Sequence, residues 1–257
     1  MVFDFSGVGA VGAPEAFGAA AAELGIEFDV GDVEKLGRYL AMLLKANESL
    51  NLTSITDPAE AWSKHILDSL TLMPLLAELP EGARVIDVGS GGGLPGLPLA
   101  VVMPHVSFTL LEATGKKVEF LRAAAGALGL ENVTVVQGRA ETVGQDRGEK
   151  AAAGRSGGHR EMYDAVTARA VGRLAVLAEL TVPLAKVGGL VLLIKGQKAD
   201  EELAEAGEAL HQLKAVHAAT VNTPTGRVVV LEKRSATPKM HPRRDGEPAR
   251  APIGLRR

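Results

Sequence analysis

The stretch Arg84–Gly96, RVIDVGSGGGLPG, constrains the fold more than any other part of this chain. A short apolar run (Val85, Ile86, Val88) carries an acid at Asp87. It breaks at once into Gly89, Gly91, Gly92 and Gly93 before an apolar segment resumes. That texture predicts a buried strand, a tight turn and the start of a helix. Backbone without a Cβ adopts open dihedrals and lets a ligand approach the main chain closely. A nucleotide-like ligand is therefore expected on this turn.

The surrounding pattern places the turn in a sheet. Strands are expected at Arg84–Val88, Ser107–Leu111, Val133–Gln137, Ala165–Ala168, Gly189–Ile194 and Arg227–Glu232. Helical spacing fills several gaps, including Lys116–Leu128, Leu174–Leu184 and Asp200–Leu213. Such alternation predicts a parallel sheet covered on both faces. A short apolar run at Ala218–Val221 precedes Pro224-Thr225-Gly226 and the last strand, so the sheet is expected to end in an antiparallel pair. Ahead of the turn, Val33, Leu36, Tyr39, Leu40, Leu43 and Leu44 recur at helical spacing, with Asp32 as the expected N-cap. A second helix is expected from Pro58 to Leu79, started by Asp57. Together they predict an N-terminal helical cap. Residues 1–25 lack a clear apolar period and read as frayed or weakly helical. Gln145–Glu161 has no period and reads as a mobile surface insertion. The expected division is 1–80 as extension and cap, 81–235 as the ligand-binding domain, and 236–257 as a mobile basic tail.

Composition narrows the chemistry. No run of about 18 apolar residues is present, so no membrane span is expected. The N-terminus shows no basic leader followed by an apolar block, and a cytoplasmic location is expected. With no cysteine, disulfides, thiolate metal sites and cysteine nucleophiles are excluded. No His/Asp cluster has metal spacing, so no metal site is expected. Lys233–Arg257 carries eight Lys/Arg against two acids, a net of +6, which leaves −9 on the rest of a chain whose total is −3. A basic tail on an acidic body fits a polyanionic partner, and equally a terminus kept soluble by its charge.

Two ligand classes use a strand, glycine turn and helix. Gly91, Gly93 and Gly96 match the G-x-G-x-x-G of dinucleotide folds. Asp87, Gly89, Gly91 and Gly93 match the pattern of S-adenosylmethionine (AdoMet) methyltransferases, an acid two residues before G-x-G-x-G. The second is favoured, because the first glycine of the turn is Gly89, because Pro95 removes an N–H from a phosphate cradle, and because a C-terminal strand pair is expected of a methyltransferase sheet. Glu112, about twenty residues past the turn, stands where a carboxylate accepts ribose hydroxyls in either fold. Without the turn upstream it would read as a solvated strand end. Ala140-Glu141 follows the third strand, where an adenine edge would lie.

Seven segments in order make the reading specific: NLTSIT (Asn51–Thr56), HILDS (His65–Ser69), DVGSGGGLPGLPL (Asp87–Leu99), LLEATGKKVEFLR (Leu110–Arg122), GRAE (Gly138–Glu141), ARA (Ala168–Ala170) and IKG (Ile194–Gly196). In this order they resemble the RsmG (GidB) family of bacterial 16S rRNA guanine-N7 methyltransferases, from about Asp32 to the last strand. The ending TPKMHPRRDGEPARAPIG also resembles the Pro- and Arg-rich ending of many members. The family commonly has Trp-Asn before its NLT motif, where this chain has Ala46-Asn47. The resemblance implies a class I AdoMet-dependent methyltransferase sheet, Rossmann-like, with the C-terminal antiparallel pair and helical cap already expected. It implies AdoMet contacts at Gly89, Gly91, Leu94, Ala140, Glu141 and Arg169, with Glu112 on the ribose. Lys116, Arg122 and Lys195 match basic positions suited to RNA, and Arg169 and Lys195 are candidates for positioning. The implied partner is 16S rRNA or the small ribosomal subunit, met by a monomer.

The chemistry agrees. Methylation at carbon 5 of a pyrimidine needs a cysteine nucleophile, which is absent. Methylation of exocyclic amines commonly uses a [DN]-P-P-[YF] motif, and the corresponding position here reads TARAVG. Guanine nitrogen 7 offers an in-plane lone pair and no proton, so no general base is expected. His65 and Asp68, three residues apart, read as local packing and hydrogen-bonding residues rather than catalytic ones. The alternatives are a small-molecule AdoMet methyltransferase, a NAD-dependent oxidoreductase, and a ribosome-assembly binder without catalysis.

Overall fold

In the computed structural model, which describes residues 3–151, 154–169 and 172–255, the segment after Arg84 enters a sheet as its sequence predicts. In chain order the elements are α1 (Glu15–Glu23), α2 (Asp32–Leu50), α3 (Pro58–Ala61), a π-helical turn (Trp62–Leu67), α4 (Asp68–Leu70) and α5 (Met73–Leu76), then β1 (Arg84–Val88), α6 (Gly96–Val102), β2 (Ser107–Glu112), α7 (Gly115–Leu128), β3 (Val133–Gln137) and α8 (Ala140–Gln145). A short pair, β4 (Glu149–Ala151) and β5 (Gly154–Ser156), precedes β6 (Tyr163–Arg169), α9 (Leu174–Thr181), β7 (Ala185–Lys195), α10 (Ala199–Glu205), α11 (Gly207–Leu213), β8 (Ala215–Thr223), β9 (Gly226–Lys233) and α12 (Glu247–Arg250). The seven-stranded sheet has the order β3-β2-β1-β6-β7-β9-β8. β1, β6 and β7 run parallel to one another, β2 runs parallel to β3, and β9 pairs antiparallel with both β7 and β8.

The chain divides into two compact units, Met1–Ala83 with Ser90–Gln137, and Arg84–Gly89 with Gly138–Arg257. In the first unit, α2 buries Leu36, Tyr39, Leu40 and Leu43 on one face. The N-terminal segment is anchored by aromatics. Phe3 and Phe5 pack on Phe120 at 5.8 and 6.0 Å between ring centroids, and Phe17 of α1 packs on Trp62 at 4.6 Å. The segment is not frayed: it forms α1, as the helical alternative expected, and Phe5 and Phe17 are buried. Met1 and Val2, also within that expectation, lie outside the described residues.

Two helical expectations in this unit need correction. Asp32 is the first residue of α2 and not its N-cap. Gly31, at φ 93°, provides the left-handed turn into the helix, and the Asp32 carboxylate reaches back to accept the Asp29 N–H at 3.0 Å. The helix expected over Pro58–Leu79 begins as predicted, with Asp57 accepting the Glu60 N–H at 2.8 Å. It then passes through the π turn and stops at Leu70, because Pro74 has no N–H for the Leu70 carbonyl and its ring would clash there.

In the second unit β1 has its expected bounds, while the other four expected strands appear one to four residues longer at both ends, because paired backbone extends past the apolar core of each run. The Thr223–Gly226 turn closes the β8–β9 hairpin, with the Gly226 N–H donating to the Thr223 hydroxyl at 3.1 Å. The helix expected over Asp200–Leu213 divides in two between Glu205 and Gly207, glycine being a poor helix former.

The tail is not a loose end. Thr237, His241 and Ile253 are buried. Glu179 of α9, fully buried in an apolar helix, accepts from His241 Nδ1 at 3.1 Å and from the Arg243 guanidinium at 2.6 to 3.1 Å. Burial raises the Glu179 carboxyl, but the Arg243 and His241 hydrogen bonds outweigh it and hold the group below its ordinary range. The expectation of an unpacked basic tail is corrected for the described residues, since a buried carboxylate requires the cation that this segment brings to it. Arg256 and Arg257 lie outside the described residues.

The insertion is likewise bonded at both ends. Arg160 donates to the carbonyls of Gly144, Thr237, Pro238 and His241, Glu161 pairs with Lys233 at 2.8 Å, and Gln145 donates to Pro242 O at 2.7 Å.

Candidate active site

The glycine turn is built by its own backbone and by the helical layer of its unit. Gly89, Gly91 and Gly93 have φ of 72°, 56° and 94°, the left-handed region that glycine enters at no steric cost. The Ser90 carbonyl accepts the N–H of Gly93 at 2.7 Å and of Leu94 at 3.1 Å, closing the turn, and the Leu94 side chain is buried. Tyr39 of α2 donates its hydroxyl to the Gly92 carbonyl at 2.7 Å. A Cβ on Gly92 would lie 2.7 Å from the Leu43 Cδ1 methyl and in ordinary contact with Leu52 at 3.5 Å, so a side chain here would have to displace the buried tip of Leu43.

The structure brings together Gly91 and Glu112, two residues named from sequence. The Gly91 N–H donates to Glu112 Oε2 at 3.0 Å, and the Thr114 N–H donates to Oε1 at 2.7 Å. Glu112 is only 8% exposed, and among the described residues no cation pairs with it. A carboxylate offers about four lone-pair sites, so two remain for hydroxyl donors such as a ribose diol. The donor set fits AdoMet on this count. Asp87 is fully buried and accepts the Thr167 hydroxyl at 3.2 Å.

The remaining candidates fall as follows. Lys116 and Arg122 are exposed on α7, and Arg122 reaches the Val135 carbonyl only at 3.5 Å. Ala140 opens α8, and the buried Glu141 carboxylate accepts the N–H of Gly246 at 2.8 Å, a tail contact that sequence reasoning missed. Arg169 ends β6, half-buried. Ala170 of the ARA motif lies outside the described residues. Lys195 is committed, with Nζ 2.7 Å from both Gly172 O and Glu202 Oε2, and Glu202 in turn accepts the Leu174 N–H at 2.8 Å. To bind a phosphate, Lys195 would first have to leave these partners.

The NLTSIT and HILDS segments meet within the first unit. The Thr53 hydroxyl and His65 Nε2 are 2.7 Å apart, Thr53 N–H donates to Asn47 Oδ1 at 2.8 Å, and His65 is buried. Ala46, where the resemblance led one to expect tryptophan, is buried in α2.

A sheet of this order, with a glycine turn after its first strand and a carboxylate ending its second, defines a class I AdoMet-dependent methyltransferase fold. A SAM-dependent methyltransferase from Aquifex aeolicus shares it, with a TM-score of 0.52 and 17% identity over 70% of this chain and 96% of that one. The family model for rRNA small subunit methyltransferase G (GidB) matches residues 32–230. Similar proteins include ribosomal RNA small subunit methyltransferase G from Sorangium cellulosum, 54% identical over 90% of this chain and 92% of its own length, and its namesake from Leuconostoc citreum, 39% identical over 93% and 98%. The chain belongs to the rRNA small subunit methyltransferase G family.

Proposed function

We propose that this chain transfers the methyl group of AdoMet to nitrogen 7 of a guanine in the decoding region of 16S rRNA. Its family makes it an AdoMet-dependent methyltransferase of small-subunit rRNA. The observation that carries the reading is the Glu112 carboxylate, held by the Gly91 and Thr114 amides with acceptor capacity to spare. In this reading Glu112 takes the ribose hydroxyls. Gly89, Gly91 and Leu94 bring main chain against the ligand, Ala140 and Glu141 meet the adenine, and Arg169 completes the contacts. Residues 81–235 do this work, with 1–80 as the cap.

When bound, AdoMet supplies an electrophilic methyl group on a sulfonium. Guanine nitrogen 7 presents a lone pair in the ring plane and carries no proton, so no side chain has to act as a base and no metal is called for. The work of the protein is alignment, worth about 7–11 kcal/mol of barrier when the geometry is right. Lys195 serves at one remove, because with Glu202 it ties down Gly172 and the start of α9, just past Arg169. Lys116 and Arg122, exposed on α7, contact rRNA phosphates, which fix register rather than read sequence. The protein acts in the cytoplasm as a monomer.

The test is mass mapping of 16S rRNA from a strain lacking this protein. The decoding-region 7-methylguanosine should disappear and return when the gene is restored. Its retention in the deletion strain would overturn the assignment.

A further inference from the structure

The C-terminal segment divides its charges by direction. Arg243 is consumed inwardly by Glu179, with Glu247 3.7 Å away, and Lys233 by Glu161 and the Ala185 carbonyl. Arg160 clamps the carbonyls of Thr237, Pro238 and His241, and the Gly246 N–H is held by Glu141. These bonds tie the segment down along most of its length. Lys239, Arg244 and Arg250 are exposed, and among the described residues none makes an ion pair or hydrogen bond through its side chain. The acids beside them are Asp245, which accepts the Thr142 hydroxyl at 3.0 Å, and Glu247, which lies 3.7 Å from Arg243. Between α8 and residues 240–245 lies an open groove of about 460 Å³, to which Met240 and Pro242 give apolar walls and Arg244 a cation. Met240 is 72% exposed, so its side chain is open to a ligand that enters the groove.

A side chain that leaves a cation unpaired in water gains nothing for the fold. Here three such cations sit on a segment already ordered by its inward bonds, so a polyanion that binds them need not meet the cost of ordering the segment. We propose that residues 237–255 form a pre-set docking edge for the phosphodiester backbone of single-stranded rRNA. Lys239, Arg244 and Arg250 are its phosphate contacts, and the groove beside Met240 receives one unstacked base. The proposal rests on rRNA being the substrate. Because Glu141 lines the groove and holds Gly246, the edge is built against a residue that the proposed function assigns to the cofactor.

The test compares the full chain with the triple variant Lys239→Glu, Arg244→Glu, Arg250→Glu and with its charge-keeping counterpart Lys239→Arg, Arg244→Lys, Arg250→Lys. Filter binding to a 16S rRNA fragment is measured across a salt series. The slope of log affinity against log salt should become shallower by about two to three in the Glu variant, close to one unit per lost phosphate contact. It should be restored in the charge-keeping variant, while calorimetric binding of S-adenosylhomocysteine and the melting temperature stay unchanged. An unchanged slope and unchanged rRNA affinity in a folded Glu variant would overturn the docking edge. Failure of the wild-type chain to methylate an rRNA that it binds would instead contradict the proposed function.

Discussion

Glu112 and Gly91, which donates its N–H to that carboxylate, are the residues on which AdoMet binding depends in the proposed function. Glu112→Gln keeps the size of the side chain but removes the charge and turns one acceptor into a donor. The loss of charge-assisted hydrogen bonds should cost about 1.5–3 kcal/mol, roughly ten- to a hundredfold in Kd for AdoMet. Titration calorimetry measures this, and an unchanged Kd would remove Glu112 from the site. Gly92→Ala tests the packing against α2. Its new Cβ meets Leu43 at 2.7 Å, so the variant should lose about 1–3 kcal/mol in denaturant unfolding. The glycine run was legible because it is a local signal. Which glycine serves which purpose was not, because Tyr39 and Leu43 reach Gly92 from more than forty-five residues away.

At the scale of elements, the buried strands were the most legible part of the chain. β1, β6 and β7 are buried over most of their paired residues and so read as short, largely apolar runs. The helical cap was read correctly in kind and wrongly in continuity, since Pro74 and the π turn interrupt it. The tail was misread because its partner is remote: Arg243 and Glu179 are 64 residues apart. One clue was available, since Glu179 is the lone acid within LAVLAELTVPL, and a buried acid in such a helix demands a cation from elsewhere. Arg243→Ala should strand that carboxylate and destabilise the protein by about 3–5 kcal/mol, measured by denaturant unfolding. A loss below about 1 kcal/mol would show that the tail does not hold α9.

For the whole molecule, the same pair sets a response to acid. The folded Glu179 carboxyl lies below its unfolded value of about 4.3. Its contribution to stability is therefore complete above that unfolded value and is lost as pH falls through the folded one. Glu161, where burial raises the carboxyl but bonds from Lys233 and Thr237 and the nearby Arg160 charge outweigh it, responds in the same direction. Unfolding free energy measured from pH 6 down to pH 3 should fall more steeply for the wild type than for Glu179→Gln; parallel curves would contradict the assignment. The charge asymmetry of the chain was visible from composition, but composition could not separate the tail cations that fold inward from those left for a partner.

In the proposed function the glycine turn and Glu112 hold AdoMet for direct methylation of guanine nitrogen 7. This is tested most directly by incubating the purified chain with methyl-labelled AdoMet and unmethylated 16S rRNA or small subunits. The RNA is then treated with borohydride and aniline, which together cut the strand at 7-methylguanosine. Label should enter the RNA and one new scission should appear in the decoding region, both lost in the Glu112→Gln variant at low AdoMet. Label incorporated without that scission, or scission unchanged in the absence of the protein, would contradict it.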